Sequence, residues 1–394
     1  AEVCGSVRGR REIIADIDVL VATDDPAAVM ERFVSLPEAS SVVQHGETKS
    51  EIILESGLQC DLRAVTKEQY PFALHYFTGS KEHNVAMRAL ARKAGMKLNE
   101  YGLFKTDGDE RVPCGSEEEI FRALGLDYIE PELRENMGEM EAAARGGLPR
   151  LLEMGDLRGI VHMHSTYTDG RAAIEDMARA AKKLGFYWIA MTDHSQAVSI
   201  AGGMKPDDLL RQIDEIDELN SRLDGFRVLK GVEVDIMQDG SLDFENSLLS
   251  KLDLVIAAVH SRFGMSEKEM TGRIVRALSS PHVDVLAHPT GRLLLSREPY
   301  ALDMNAVIEA AAKNGKAIEI NAHPQRLDLD WRWCKAAKEA GVKIAISPDA
   351  HSPESLSDIA YGVGIARKGW LEKGDVINCL EAGELLSFLS GGKR

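Results

Sequence analysis

Hydrophobic and polar positions follow two different rhythms along this chain. In the first third, residues 12–22 (EIIADIDVLVA) carry the β-branched content of a strand, and Ile52-Ile53-Leu54 and Cys60-Asp61-Leu62 predict two more. From Tyr70 to about Tyr128 the pattern is mostly helical, punctuated by Gly95, Gly102 and Pro113. Residues 133–156 are charged, then Gly146-Gly147 and Pro149, which predicts a linker and the main domain boundary. Beyond it, short apolar runs recur at 159–163, 187–192, 227–234, 254–259, 283–287, 316–320 and 342–347. Helical segments lie between them, near 172–184, 206–223, 267–279, 303–314 and 331–340. Continuous apolar strands alternating with helices imply parallel β/α units buried on both faces. Seven units in so short a stretch fit a closed barrel better than an open doubly wound sheet. No glycine-rich phosphate loop follows the first strand, which lowers the dinucleotide-binding reading further.

Length and composition narrow the class. The 394 residues suggest two or three domains. Hydrophobic residues at 44% and charged residues at 28% exclude a disordered or fibrous chain. No apolar stretch approaches the roughly 20 residues of a membrane span. The 63 acidic and 47 basic residues leave a net charge of −16, which argues against indiscriminate nucleic-acid coating but allows a local basic groove. Five scattered cysteines without a C-x-x-C pair predict a reducing cytoplasm and no thiolate zinc site. The chain opens at Ala1-Glu2-Val3-Cys4 without a methionine, so a fragment is expected.

The strand ends carry the chemistry. The first run ends in His162-Met163-His164, with Asp169 five residues on. The second ends in Thr192-Asp193-His194, and the third carries Glu233. His260, His288, Asn321 with His323, and Asp349-Ala350-His351 end the other four. Single histidines at strand ends are usually bland, but six histidines and three carboxylates in one frame predict a metal site. Residues two apart on a strand share a face, so His162 and His164 are expected to grip one ion. The C-terminal rim of a β/α barrel is where such residues converge. Mixed imidazole and carboxylate ligands suit zinc, manganese or iron. Nine ligands exceed one tetrahedral ion, so two or three divalent metals are expected, with Glu233 the best bridge. Clustered ions of this kind activate water and neutralise phosphate. Arg292 and Arg326, just beyond strand ends, are candidates to grip phosphate, against an equal reading as rim salt bridges. Asp193 is a candidate to orient His194.

In the first third, Asp16 and Asp18 lie two apart on a strand and face one side, where they suit a pair of magnesium ions. Asp61 is a third carboxylate from a neighbouring strand, and Gly5-Ser6 a turn whose amides suit phosphate oxygens.

These motifs carry a resemblance. H-x-H with a following D-G, T-D-H, K-G-V-E, V-H-S, A-H-P and P-D-A-H-S, over residues 157 to about 365, resemble PHP-domain phosphoesterases. The resemblance implies a distorted seven-stranded (β/α) barrel with a trinuclear site. His162, His164, Glu233 and Asp349 would hold one ion, Glu233, His260 and His288 a second, and Asp169, His194 and His351 the third. G-S-V-R-G-R-R-E-I-I-A-D-I-D resembles the nucleotidyltransferase palm of family X DNA polymerases, and Y-F-T-G-S-K-E-H-N-V-A-M-R their thumb. N-E-Y-G-L-F and L-G-L-D-Y-I-E-P-E-L-R-E match the bacterial members, in which a PHP domain follows the thumb. The implied fold class is α/β, a small α+β palm (1–68), a helical thumb (69–132), a linker (133–156) and the barrel (157–394). By this similarity Asp16, Asp18 and Asp61 hold magnesium or manganese. Ser6 and Arg8 line a triphosphate, Tyr76, Phe77 and Gly79 pack the sugar, Asn84 meets the base edge and Arg88 the template.

The family has a second arginine where this chain has Gly9, and its lyase and fingers domains have no counterpart here. Weak DNA affinity and impaired polymerisation are therefore expected. The implied function is a cytoplasmic DNA-repair enzyme whose barrel removes nucleotides from DNA 3′ ends with two or three metal ions. Its partners would be DNA primer ends and gaps, and deoxynucleoside triphosphates where the palm is active. A phosphatase for a small phosphomonoester, of the histidinol-phosphate kind, would use the same ligands, and a non-catalytic DNA-end scaffold is the third reading.

Overall fold

In a computed structural model, which describes residues 1–108 and 110–391, the chain divides into two compact units between Pro149 and Arg150. In the first unit, β1 (Glu2–Val3), β2 (Asp16–Ala22), β3 (Ala39–His45), β4 (Lys49–Leu54) and β5 (Gln59–Val65) form one sheet in the order β1-β2-β5-β4-β3. Only β2 and β5 run parallel, joined by a crossover that includes the helix Pro26–Val34, whose N-terminus Asp25 caps. Met30 and Phe33 of that helix pack on Ile52, Cys60 and Leu62.

Helices Tyr70–Thr78 and Lys81–Lys93 follow, the second capped by Ser80. The mostly helical expectation for 70–128 holds at both ends of that stretch but misses a sheet between them. Strands β6 (Met96–Asn99), β7 (Gly102–Lys105) and β8 (Arg111–Val112) make a small antiparallel sheet. The Asn99 side chain accepts from the amides of Tyr101 and Gly102, closing the hairpin with an Asx turn. Residues 133–149, expected as linker, belong to this unit. Arg134 is fully buried on Glu117, and Glu139, at the start of the helix Glu139–Ala143, pairs with buried His83.

The second unit is the expected barrel. Strands β9 (Gly159–Ile160), β10 (Trp188–Met191), β11 (Arg227–Asp235), β12 (Leu254–Ala258), β13 (Val285–Leu286), β14 (Ala317–Asn321) and β15 (Ile344–Ser347) run parallel in chain order. A bridge between Met163 and Ala350 brings the last strand end to the first. The intervening helices fall within a residue or two of expectation: Ile174–Lys183, Pro206–Arg222, Glu267–Leu278, Met304–Asn314 and Trp331–Glu339. Their starts are written in cap residues, including the reciprocal Ser266/Glu269 pair, Asp303 and Asp330.

Alternate strand residues serve two cores. Ile189, Met191, Val255 and Ala257 pack outward on the helices. Trp188, Ala190, Leu254, Ile256 and Ala258 fill the barrel, together with Leu385 and Leu389 of the helix Ala382–Gly391. Each fully buried aliphatic side chain contributes about 1.5–3 kcal/mol. Trp188, the first residue of β10, donates Nε1 to the Leu380 carbonyl, so this last helix closes the N-terminal mouth. The C-terminal mouth is left to polar side chains.

Candidate metal centre

The ligand residues predicted from the strand ends converge at that mouth, but not for the reason expected. Strand β9 stops at Ile160, and His162 takes a left-handed φ of 60°, so the H-x-H pair does not share a strand face. His288 (φ 25°) and Asp349 (φ 52°) are left-handed too. Non-glycine residues in that region are strained, and such strain gathers where the surroundings over-determine a side chain's direction. At Gly170 a side chain could not exist: its Cβ would stand 2.4 Å from the His164 carbonyl oxygen. The Asp169-Gly170 turn therefore folds back onto the H-x-H segment.

Glu233, 1% exposed, is the hub. Its Oε2 lies 2.8 Å from His194 Nδ1, 3.4 Å from His162 Nε2 and 3.7 Å from His164 Nε2. Its Oε1 lies 3.0 Å from His288 Nε2 and 3.3 Å from His260 Nε2. Asp349 Oδ1 lies 3.1 Å from His164 Nε2 and 3.5 Å from His162 Nε2. Asp169 Oδ2 lies 3.3 Å from His351 Nε2 and 3.7 Å from His194 Nε2. Three sets bring their ligand atoms within 4.8 Å of one another: His164, Asp169, His194 and His351; His162, His164 and Glu233; and His194, Glu233 and His260. His164 thus stands in two sets, where a single ion had been expected for it.

The donor chemistry fits divalent ions. His162 Nε2, His164 Nδ1, His194 Nδ1 and Glu233 Oε2 are buried and make no hydrogen bond, since even the 2.8 Å approach of His194 Nδ1 to Glu233 Oε2 lacks the geometry of one. Leaving such atoms unsatisfied costs about 1–3 kcal/mol each. Burial would raise the Glu233 carboxyl, but His162, His194 and His260 outweigh it and hold the group well below the carboxylate range. Burial likewise opposes charge on His260 and His351; Glu233 and Asp235 around the first, Asp169 and Asp349 around the second, push each up to about 9. Cations held at the centre would compete with these protons.

Residues behind the ligands fix their ring directions, and the sequence reading missed them. Glu319, fully buried on β14, lies 2.5 Å from His162 Nδ1, accepts the His288 amide at 2.6 Å and also the Ser347 hydroxyl. Asp235 lies 3.1 Å from His260 Nδ1. Asn321, read only as a strand end, donates to Asp349 Oδ2 at 3.0 Å. A carboxylate on one imidazole nitrogen holds its proton there and frees the other for a metal. The strand-like alternation of β14 placed Glu319 inward, but a glutamate inside an apolar run carries no motif.

Two expected roles change. Asp193 does not turn to His194. It accepts from the Ser165 amide and hydroxyl, Thr168 Oγ and Gln212 Nε2, bracing the loop that carries His164 and Asp169. Arg292 is buried with its guanidinium engaged by the Arg326 and Leu327 carbonyls and Asp330, so the rim salt-bridge reading replaces phosphate gripping. Arg326, its Nε 3.5 Å from Asp349 Oδ2 and partly exposed, does face the centre.

The other candidate site lies in the first unit. Asp18 on β2 pairs in register with Asp61 on β5, and Asp16 with Gln59. Burial first, then Asp16 and Asp61, raise the Asp18 carboxyl. Gly5 (φ 57°) lies so close that a Cβ there would sit 2.1 Å from Asp18 Oδ2, which puts the Gly5-Ser6 turn against the carboxylate. Lys49, unanticipated on β4, pairs with Glu51 and stands 3.4 Å from Asp61 Oδ2. Arg8 is bound to Glu117 at 2.5 Å and to Thr78 Oγ1, so its guanidinium is engaged within the unit. Asn84 gives its amide hydrogens to the carbonyls of Tyr76 and Gly79. Phe77 stacks under Arg63, and Arg88 lies one helical turn from Asn84. Among the described residues, the sets of three or more ligand atoms within 4.8 Å all lie in the barrel.

Comparison with known proteins follows this division. The family model for the DNA polymerase beta thumb matches residues 73–135, and that for the PHP domain matches residues 161–323. The chain is 43% identical, over 98% of its length and 68% of the relative's, to the DNA polymerase/3′-5′ exonuclease PolX of Bacillus subtilis strain 168. A probable phosphatase of Thermoanaerobacter sp. strain X514 is 32% identical over 59% of this chain and 94% of its own. A solved ternary complex of Leishmania infantum polymerase beta matches 34% of this chain and 66% of that one at 30% identity, with a TM-score of 0.30.

Proposed function

The chain belongs to the bacterial PolX family, and on that premise we propose that its barrel hydrolyses phosphodiester bonds at DNA 3′ ends with divalent metal ions. The observation that carries this reading is the set of converging, buried ligand atoms around Glu233 that make no hydrogen bond. Divalent ions held there would supply Lewis acidity and a more acidic water. We infer manganese or zinc, with iron a further option, from the imidazole–carboxylate mixture. His162, His164, Asp169, His194, Glu233, His260, His288, Asp349 and His351 are the proposed ligands. Glu319 and Asp235 hold protons on His162 Nδ1 and His260 Nδ1, presenting Nε2 of each ring inward. Arg326 is the proposed contact for substrate phosphate, and the described cysteines, all buried, include no nucleophile for the reaction.

The palm is the proposed site of templated nucleotide addition, with Asp16, Asp18 and Asp61 holding magnesium or manganese. Ser6, Tyr76, Phe77, Gly79, Asn84 and Arg88 keep the roles that the resemblance implied, while Arg8 acts through Glu117 as a brace. DNA primer ends and gaps, and deoxynucleoside triphosphates, are the proposed partners, in a cytoplasm that suits free thiols. The helices include none long and apolar enough to cross a membrane among the described residues. The reading is tested with a labelled primer–template, Mn²⁺ and a free phosphomonoester in parallel. Shortening of the primer is expected. Fast monoester turnover with an intact primer would move the protein to the phosphatases.

A further inference from the structure

The metal centre is most open along one edge. His162, His164, Glu233 and His288 are closed off, at 0–2% exposure, whereas the side chains of Asp169 and His351 are each 36% exposed. A groove of about 620 Å³ lies beside that edge. Its lining includes Arg171, two residues after Asp169, and Ser352, next to His351. The Arg171 amide donates to the His351 carbonyl at 2.8 Å, which ties the two loops together.

From there the groove follows the helix Ile174–Lys183, lined by Asp176, Arg179, Ala180 and Lys183. These positions, three and four apart, share one helix face, and the lining extends about 10 Å along the axis. Arg171 and Lys183 have no acidic partner among the described residues. Of the two acidic lining residues, Asp176 is paired with Arg179, whereas Glu354 stays charged beside Ser352. The rest of the lining is alanine and proline, without an aromatic ring on which a base could stack. Unpaired cations on a small-residue floor suit a phosphate chain and not bases.

We propose that this groove is a track for the phosphodiester backbone of a single DNA strand whose end lies at the metal centre. The inference rests on DNA being the substrate of that centre. It adds a sequence-independent site, and it explains how an acidic protein would hold a polyanion near its carboxylates: the cations are local.

The test compares wild type with the Arg171→Glu/Lys183→Glu double variant in Mn²⁺, on a 20-nucleotide single strand and on the p-nitrophenyl ester of thymidine 5′-monophosphate. Lys268→Glu, exposed on another helix, is the charge control, and Arg171→Ala/Lys183→Ala replaces the charge reversal if its melting curve shows misfolding. The variant's kcat/KM on the strand is expected to fall about tenfold relative to the ester. The slope of log kcat/KM against log salt should flatten by about 1.4, at roughly 0.7 per lost phosphate contact. An unchanged slope in a protein that degrades DNA would overturn the track alone. An equal fall on both substrates would also overturn it, assigning these residues to the centre itself. A wild type that cleaves the ester and never the strand would remove the DNA reading, and the track with it.

Discussion

The two candidate sites of this chain hold their carboxylates in opposite ways. In the barrel, Glu233 is 1% exposed, ringed by histidines and backed by a further buried glutamate. In the palm, Asp16, Asp18 and Asp61 are only partly buried, and Lys49 already leans on Asp61. The first site is built before any ion arrives, because its ligands are fixed by strand ends, left-handed turns and proton-holding carboxylates. The second has two strands' worth of acid and little else, so ions and nucleotide must complete it. A buried site concentrates electrostatic effect; an open one leaves room for a large substrate and is screened by water.

The difference breaks first at the hub. Glu233→Gln is expected to lower primer shortening by more than about 100-fold, beyond the range for residues that touch only ligands. A loss below tenfold in a gel assay would show that the bridge is not central. Glu319→Gln comes next: about 10–100-fold in Mn²⁺ affinity, measured by titration of metal-dependent melting, because His162 loses the group that holds its Nδ1 proton. An unchanged affinity would reduce Glu319 to a packing residue.

Much of this contrast was legible in the sequence, and its gaps have physical causes. The barrel announced itself because apolar runs and cap residues recur in step, and because each run ends in a side chain that a core does not need. The reading failed where long-range register decides the outcome. Lys49 reaches Asp61 only through the pairing of β4 with β5, in which Lys49 lies opposite Arg63. Glu319 reaches His162 across the barrel, over 157 positions of sequence. Arg292 looked like a phosphate ligand because it follows A-H-P, yet the carbonyls of Arg326 and Leu327 surround it. The strands β6–β8 were hidden because two to four residues give alternation too little length to register.

Smaller effects sharpen the comparison. Removing metal with a chelator should lower the melting transition of the barrel by roughly 5–10 °C from a state saturated at about 100 times Kd, and leave the first unit's transition in place. That gain should depend on pH in a defined direction. Burial alone would lower His260 and His351, but their carboxylate neighbours push each up to about 9. The stability these protons add to the metal-free barrel is therefore full below about pH 6.5 and lost as pH rises through 9. Since ions displace the same protons, the melting increment from Mn²⁺ should grow between those limits. A flat or shrinking increment in a calorimetric pH series would contradict the ligand assignment. The smallest expected effect is in the palm unit: Arg8→Ala should cost about 1–3 kcal/mol in urea unfolding, since Glu117 keeps Arg134 as a partner.

The central claim is that the two sites do separate chemistry, and one gel tests it. Wild type, His162→Ala and Asp18→Ala are each incubated with a labelled primer–template and Mn²⁺, with and without deoxynucleoside triphosphates. The account predicts that shortening disappears in His162→Ala alone, and that any extension disappears in Asp18→Ala alone. Shortening that survives His162→Ala, or is lost with Asp18→Ala, would contradict it.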